Sequence, residues 1–311
     1  SSFKQGDVLL QMAKSGDLHA EIKVSESDIA DVYEPKPDGR KQVGYIATTG
    51  DLRDRHKITI ERVVPMATVE NGANVFKVYG KLEDPDIESL IGRVALAANE
   101  DAAIAPAEID GIIVGLFDNG FSRQDFPSSL VLQSLPELRY TRATRYENAC
   151  ASGSAAIHGA RDFLAAGRGR FALVVGAEKM TATPGPQVGD ILLSAAYRKE
   201  EGEIPAGFAG VFGRIAERYF QKYGDQSDAL ATIAAKNHKN GVDNPYAQMR
   251  RDLGYEFCRN VSEKNPYVAP PLKRTDCSMV SDGAAALVLT DEATAGTLGK
   301  AVRFRAAVQV N

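Results

Sequence analysis

The sequence predicts a layered α/β fold, helices around a mixed sheet, preceded by a small antiparallel β domain, and three observations carry that prediction. Apolar and polar residues alternate with period two through residues 1–83, the mark of half-buried strands. From about Asp84 apolar residues recur at helical spacing, and beyond it short continuous apolar runs alternate with helical stretches. A chain of 311 residues is long enough for both parts.

In order along the chain, Ala20, Ile22 and Val24 alternate with His19, Glu21 and Lys23 as a first strand. Val43, Tyr45 and Ala47 alternate likewise after a turn through Pro35, Pro37, Asp38 and Gly39. Ile58 and Ile60 open a third strand running through Val63 and Val64, and a fourth is expected at Val75 to Tyr79 after the Glu70-Asn71-Gly72 turn. Several short strands with polar turns point to a small barrel or sandwich. Ile87, Leu90, Ile91, Val94 and Ala98 then mark a helix, with Asp84 or Asp86 as its cap. Gly111 to Gly115 and Phe171 to Gly176 read as buried strands, separated by a small-residue helix from Ala151 to Ala166. Residues 205–239 are expected to be mostly helical, and Ser281 to Leu289 a turn followed by another buried strand.

Composition narrows the function classes. The formal net charge is -4 and no Lys/Arg cluster is dense enough for a nucleic-acid surface. No apolar run approaches the ~20 residues of a membrane span. The three cysteines, Cys150, Cys258 and Cys277, form neither a CxxC pair nor a zinc pattern, which favours a reducing compartment or a reactive thiol and offers no metal site. The N-terminus lacks an initiator Met and is not a signal peptide, so the chain is read as a possible fragment whose targeting is undecided.

Cys150 is the candidate nucleophile. It follows the polar stretch Arg145 to Asn148 and precedes a helix rich in Ala, Gly and Ser. A thiol at a helix start lies beside unpaired N–H groups and the positive end of the helix dipole, and both favour thiolate. Small residues at Ala151, Ser152, Gly153, Ala155 and Ala156 allow close approach of other backbone or a bound acyl group, the logic of a nucleophile elbow. The competing reading is a buried cysteine acting as a small hydrophobe.

The run Asn148 to Ser154 resembles the nucleophile loop of thiolases, most closely the sterol-carrier-protein-like subgroup of the acetyl-CoA acetyltransferases. Glu178 to Thr181 is similar to a segment which that family carries beside its active site, and Asp276 to Ala286 resembles its second fingerprint. Gly224 to Ser227 and Lys236 to Asn240 read like its loop region, so the likeness spans about residues 84–311, the family's N-terminal half. The resemblance implies acyl transfer to or from coenzyme A through a cysteine acyl-enzyme, with CoA thioesters as substrates and no tightly bound cofactor. It implies that Cys150 is acylated and that Ser278 contacts the pantetheine of CoA, a turn cap being the alternative for Ser278. His238, among Lys236, Asn237, Lys239 and Asn240, is a solvated residue that could also meet CoA phosphates. His158 lies about two helical turns from Cys150, too far to serve readily as its base. Cys277 is read as a packed small residue, and nothing argues a role for Cys258.

The family's Gly-His-Pro and Cys-x-Gly motifs do not occur, and the chain stops where the half that carries them should begin. It is therefore expected to be a weak or inactive thiolase alone. Residues 1–83 resemble instead the barrel region of periplasmic adaptor (membrane-fusion) subunits, on Lys4 to Leu10, Glu21 to Val32 and Gly72 to Val78. That makes the alternative a non-catalytic envelope assembly module, and it sets a periplasmic location against the cytoplasmic one implied by CoA. A composite chain, with a homodimer paired through the core sheet, is the default expectation.

Overall fold

The computed structural model describes residues 8–11, 19–48, 51–70, 73–82, 86–118, 120–122 and 124–310. Two compact units divide at Ser1–Ser89 and Leu90–Asn311.

The first unit is built on strands β1 (Val8–Gln11), β2 (His19–Ser25), β3 (Val43–Thr48), β4 (Asp51–Val63), β5 (Thr68–Glu70) and β6 (Ala73–Leu82). They form one antiparallel sheet in the order β1-β2-β6-β4-β3, with β5 also on β6. Ile58, Ile60 and Val78 are buried in it, packed by Ile22, Val24, Ile29, Val32 and Val63. Val43 and Tyr45, expected on a half-buried face, are exposed. The reason is local: β3 ends the sheet, and Gly44 is the residue that faces the Ile58 side chain. The expected features at residues 1–7 and in the Asn71-Gly72 turn lie outside the described residues.

The helix α1 (Ile87–Ala102) follows, with the Asp86 carboxylate accepting the Ser89 N–H at 2.7 Å as its N-cap. The second unit centres on a mixed sheet of β7 (Gly111–Gly115), β8 (Arg142–Tyr146), β9 (Phe171–Glu178) and β12 (Gly283–Thr290), ordered β12-β9-β7-β8. β7 pairs parallel with β8 and β9, and β12 runs antiparallel to β9. Helix α2 (Ser152–Ala165) lies on one face, where Ala156 and Ala160 pack against Ile113, Ala172 and Val174. Alanine at these positions brings helix and sheet axes close without a void. The opposite face, with Ile112, Val114, Leu173 and Val175, is buried as well.

The remaining elements run α3 (Gly185–Leu193), α4 (Arg198–Glu201), α5 (Gly207–Tyr223), α6 (Ser227–Gly241), α7 (Gly254–Arg259), the hairpin β10 (Tyr267–Ala269) with β11 (Leu272–Lys273), and α8 (Glu292–Ala295). Cys258 on α7 is fully buried against Ala231 and Ala234 of α6, where burial pushes its thiol up. β12 corrects the expectation of a buried strand. As the end strand of the sheet it exposes Gly283, Ala285 and Leu287 on one face. β8, whose Arg-Ala-Thr-Arg-Tyr sequence carries no apolar run, was not expected as a strand at all.

Candidate functional site

Between β8 and α2 the chain makes a tight turn that carries Cys150. Ala149 adopts φ 47°, a left-handed conformation that L-residues rarely adopt and that surrounding structure must hold in place. The Ser152 hydroxyl does much of that holding. It donates to the Ala149 carbonyl at 2.7 Å and accepts the Asn148 N–H at 2.9 Å, while the residue itself is 4% exposed. The Ala151 and Ser152 N–H groups donate to the Asn148 and Ala149 carbonyls at 2.9 and 3.1 Å, and the Glu147 carboxylate accepts the Ala149 N–H. Cys150 is exposed at the crest. The N-cap residue Ala151 has no side chain that could cap α2, and the first turn carries no acidic residue, so nothing intrinsic to the helix competes for its positive end.

In the sequence Ser152 counts only as one of several small residues; the signal of its role is a hydroxyl at the first position of α2, three residues after the strained Ala149. Ser152→Ala removes both bonds and leaves the Asn148 N–H without its acceptor. The expected loss is about 1–3 kcal/mol, read as a lowered denaturant midpoint.

The turn is braced from the sheet. An ideal Cβ on Gly115, the last residue of β7, would lie 2.5 Å from the Ser152 carbonyl oxygen and 2.9 Å from the Gly153 Cα. By contrast a Cβ on Gly153 would meet nothing within 4 Å. Of the small residues at the helix start, Ser152 and Gly153 thus press against strand backbone on one side, and Gly153 leaves open space on another.

Two further motif segments meet at the sheet end. Asp282 accepts hydrogen bonds from Lys179 Nζ at 2.5 Å, Thr181 Oγ1 at 2.5 Å, Met180 N–H at 2.7 Å and Thr181 N–H at 2.9 Å. Burial alone would raise this carboxyl, but those four bonds outweigh it and hold it below the usual carboxylate range. Lys179 is 8% exposed, so the ion pair is largely shielded from water. Lys273 and Asp276 form an ion pair at 2.8 Å with side chains 2% and 1% exposed.

His238 and Ser278, far apart in sequence, line one groove of about 480 Å³ between α6, the segment Ala247–Met249 and the segment Thr275–Met279. His238 is partly buried on the α6 side; Ser278 is exposed, its hydroxyl donating to the Met279 carbonyl at 3.3 Å. Cys150 does not line this groove. Cys277, half-buried beside Ser278, has its thiol pushed up by burial. His158 lies on α2 with Cys150 just ahead of that helix, and the side chains of His19 and His56 lie outside the described residues. Among the described residues no cluster of His, Cys, Asp and Glu is arranged to hold a metal ion. Among them, too, no helix is long and apolar enough to cross a membrane.

Residues 71–253 match the thiolase N-terminal domain family. The chain belongs to the thiolase family. An acetyl-CoA acetyltransferase of Methanothermobacter thermautotrophicus is 32% identical over 212 residues, which are 68% of this chain and 54% of that protein. The acetyl-CoA acetyltransferase of Methanocaldococcus jannaschii is 34% identical over 214 residues, 68% of this chain and 53% of that one. Human sterol carrier protein 2 is 29% identical over 222 residues, 67% of this chain and 38% of its own length. The chain thus spans about half the length of the two acetyltransferases. Among solved structures, the Ltp2-ChsH2(DUF35) aldolase superposes with a TM-score of 0.54 at 22% identity, covering 70% of this chain and 53% of that one. Human mitochondrial 3-ketoacyl-CoA thiolase in complex with CoA gives 0.50 at 16% identity, covering 69% and 61%. Both show the thiolase-like α/β fold. The family match starts at residue 71, inside the β unit, and the comparisons lend no support to the adaptor resemblance of residues 1–83.

Proposed function

We propose that this chain carries the acyl-accepting site of a thiolase-type acyltransferase, with Cys150 as nucleophile. The observation that carries the reading is an exposed thiol on a strained turn at the uncapped start of α2, in a chain of this family. The Cys150 thiolate attacks the carbonyl carbon of an acyl-CoA, the carbon–sulfur bond to CoA breaks, and CoA leaves as its thiolate. The product is a thioester on Cys150. The start of α2 favours both the attacking thiolate and the developing oxyanion. In this reading the groove at His238 and Ser278 holds CoA, with Ser278 toward the pantetheine and His238 toward the phosphates.

Protonating the departing thiolate and forming an enolate on a second acyl-CoA need further acid–base groups. The Gly-His-Pro and Cys-x-Gly motifs that would supply them are not in these 311 residues. The chain alone is therefore expected to become acylated once rather than to turn over. The reading assigns acyl transfer to residues 84–311, treats residues 1–83 as a separate β module, and places the protein where CoA is found, in the cytoplasm. A homodimer paired through the core sheet completes it.

Iodoacetamide is expected to alkylate Cys150 at least about tenfold faster than half-buried Cys277 at neutral pH, with acyl-CoA protecting Cys150 and adding its acyl mass there. Cys150→Ser abolishes both signals. Uniform slow labelling without protection overturns the reading, and ordinary thiolysis turnover by the purified chain overturns the single-acylation part of it.

A further inference from the structure

The two peptide units that follow β7 are gripped from both neighbouring strands. From β9, the Glu178 carboxylate accepts the Phe117 and Asp118 N–H groups, each at 3.1 Å. From β8, Arg145 donates through Nε to the Leu116 carbonyl at 3.2 Å and through Nη2 to the Phe117 carbonyl at 2.6 Å. Both carbonyls and both N–H groups of these units are thus bonded to a charged side chain. Asp118 is held at φ 55°, with its own carboxylate accepting the Ser122 N–H at 2.6 Å and hydroxyl at 3.0 Å. A left-handed residue persists only where its surroundings fix it, and this one is fixed on every side.

The gripped segment bears directly on the Cys150 turn. The Leu116 N–H donates to the Tyr146 carbonyl at 3.3 Å, at the point where β8 ends and the turn begins. One residue earlier, Gly115 lies against the Ser152 backbone. A shift of residues 116–118 is therefore transmitted to both ends of the turn.

We propose that Glu178 and Arg145 are positioning residues for the Cys150 turn, and that proton uptake by Glu178 loosens their grip on residues 116–118. This rests on the reading of Cys150 as the reactive thiol. Burial raises the Glu178 carboxyl to about 7, against the lowering effect of its two N–H bonds. The charged groups acting on it are Asp118 on the gripped loop, which raises it, and Arg145 on β8, which lowers it; β12 presents only Gly283 opposite. A protonated carboxyl turns a donor toward two N–H donors and loses one of its two acceptor positions. The grip is half lost at about pH 7, tightens above it and weakens below it. Because the folded-state value is raised from 4.5, the group's stability contribution is full at acid pH and is lost as pH rises through about 7. The tight grip of the ionised form is held at the expense of stability, which suits positioning rather than folding.

The test follows the Phe117 and Asp118 amide resonances of the full chain, and the iodoacetamide labelling rate of Cys150, from mildly acid to mildly alkaline pH. Both amides are expected to titrate with a midpoint near 7, and the labelling profile to show the same midpoint. Glu178→Gln removes that midpoint from both. The wild-type titration decides the matter even if the variant does not fold. Amides that do not titrate near neutrality overturn the clamp, as does a Cys150 profile identical in wild type and Glu178→Gln. A Cys150 no faster than Cys277 at any pH overturns the nucleophile reading instead, and the amide titration then reports on the clamp by itself.

Discussion

Asp282→Asn is expected to lower the melting temperature by about 6–12 °C, the equivalent of about 3 kcal/mol in a unit of this size. The carboxylate gathers four donors from Lys179, Met180 and Thr181, with its side chain 15% exposed and that of Lys179 10% exposed. Asparagine keeps an oxygen for the two backbone N–H groups but turns an amide donor toward Lys179 and Thr181. The ammonium is then left poorly solvated without its counter-charge, and that desolvation, rather than the lost attraction, sets the size of the effect. The pH dependence follows from the lowered carboxyl. Its contribution is present above the unfolded value of 3.8 and is lost as pH falls through the still lower folded value, so wild type and Asp282→Asn converge in strong acid. Adding Lys179→Met to Asp282→Asn should recover part of the loss, and purely additive losses in that double-mutant cycle would show that the pair is not coupled. Since Ser278 lies four residues ahead of Asp282, acyl-CoA protection of Cys150 should weaken in the single variant too.

What was legible in the sequence were features with a local cause. The elbow could be read because a polar stretch, a cysteine and a small-residue helix follow one another within about twenty residues, and β7 and β9 because central strands are continuously apolar. β8 escaped because an end strand tolerates Arg142, Thr144 and Arg145, so its sequence looks like a polar loop. For the same reason β12 was expected to be more buried than it is: its residues are apolar, but only β9 flanks it. Glu178 and Lys179 stood in a recognisable segment, yet their partners Arg145 and Asp282 are brought to them only by sheet order and register. No spacing rule within one chain segment reports such pairs. The shared groove of His238 and Ser278 depends in the same way on α6 packing beside the segment Thr275–Met279.

Gly115→Ala should disable the Cys150 turn, whereas Gly153→Ala, at the start of α2, should leave it intact. The two positions face opposite situations. At Gly115 a Cβ would come within 2.5 Å of the Ser152 oxygen and 2.8 Å of its carbonyl carbon, both backbone atoms that no rotamer change can move. Either β7 or the start of α2 must shift, and overpacking of this kind costs about 1–3 kcal/mol, here toward the upper end because no flexible side chain can yield. The displacement falls on the Ser152 backbone, whose hydroxyl holds Ala149 in its strained conformation. Cys150 alkylation and acylation should therefore fall further than the stability loss alone explains. At Gly153 a Cβ enters open space inside a helix, so alanine is expected to be neutral or to add up to about 1 kcal/mol through helix propensity. Gly176→Ala, on β9 with no neighbour closer than 3.9 Å, controls for the loss of a strand glycine as such. Equal effects at 115 and 176 would refute the packing account. The open space at Gly153 carries its own consequence: a leucine there should leave the melting temperature near that of wild type yet abolish protection of Cys150 by acyl-CoA. If Gly153→Leu is still protected, the acyl group does not lie along the start of α2.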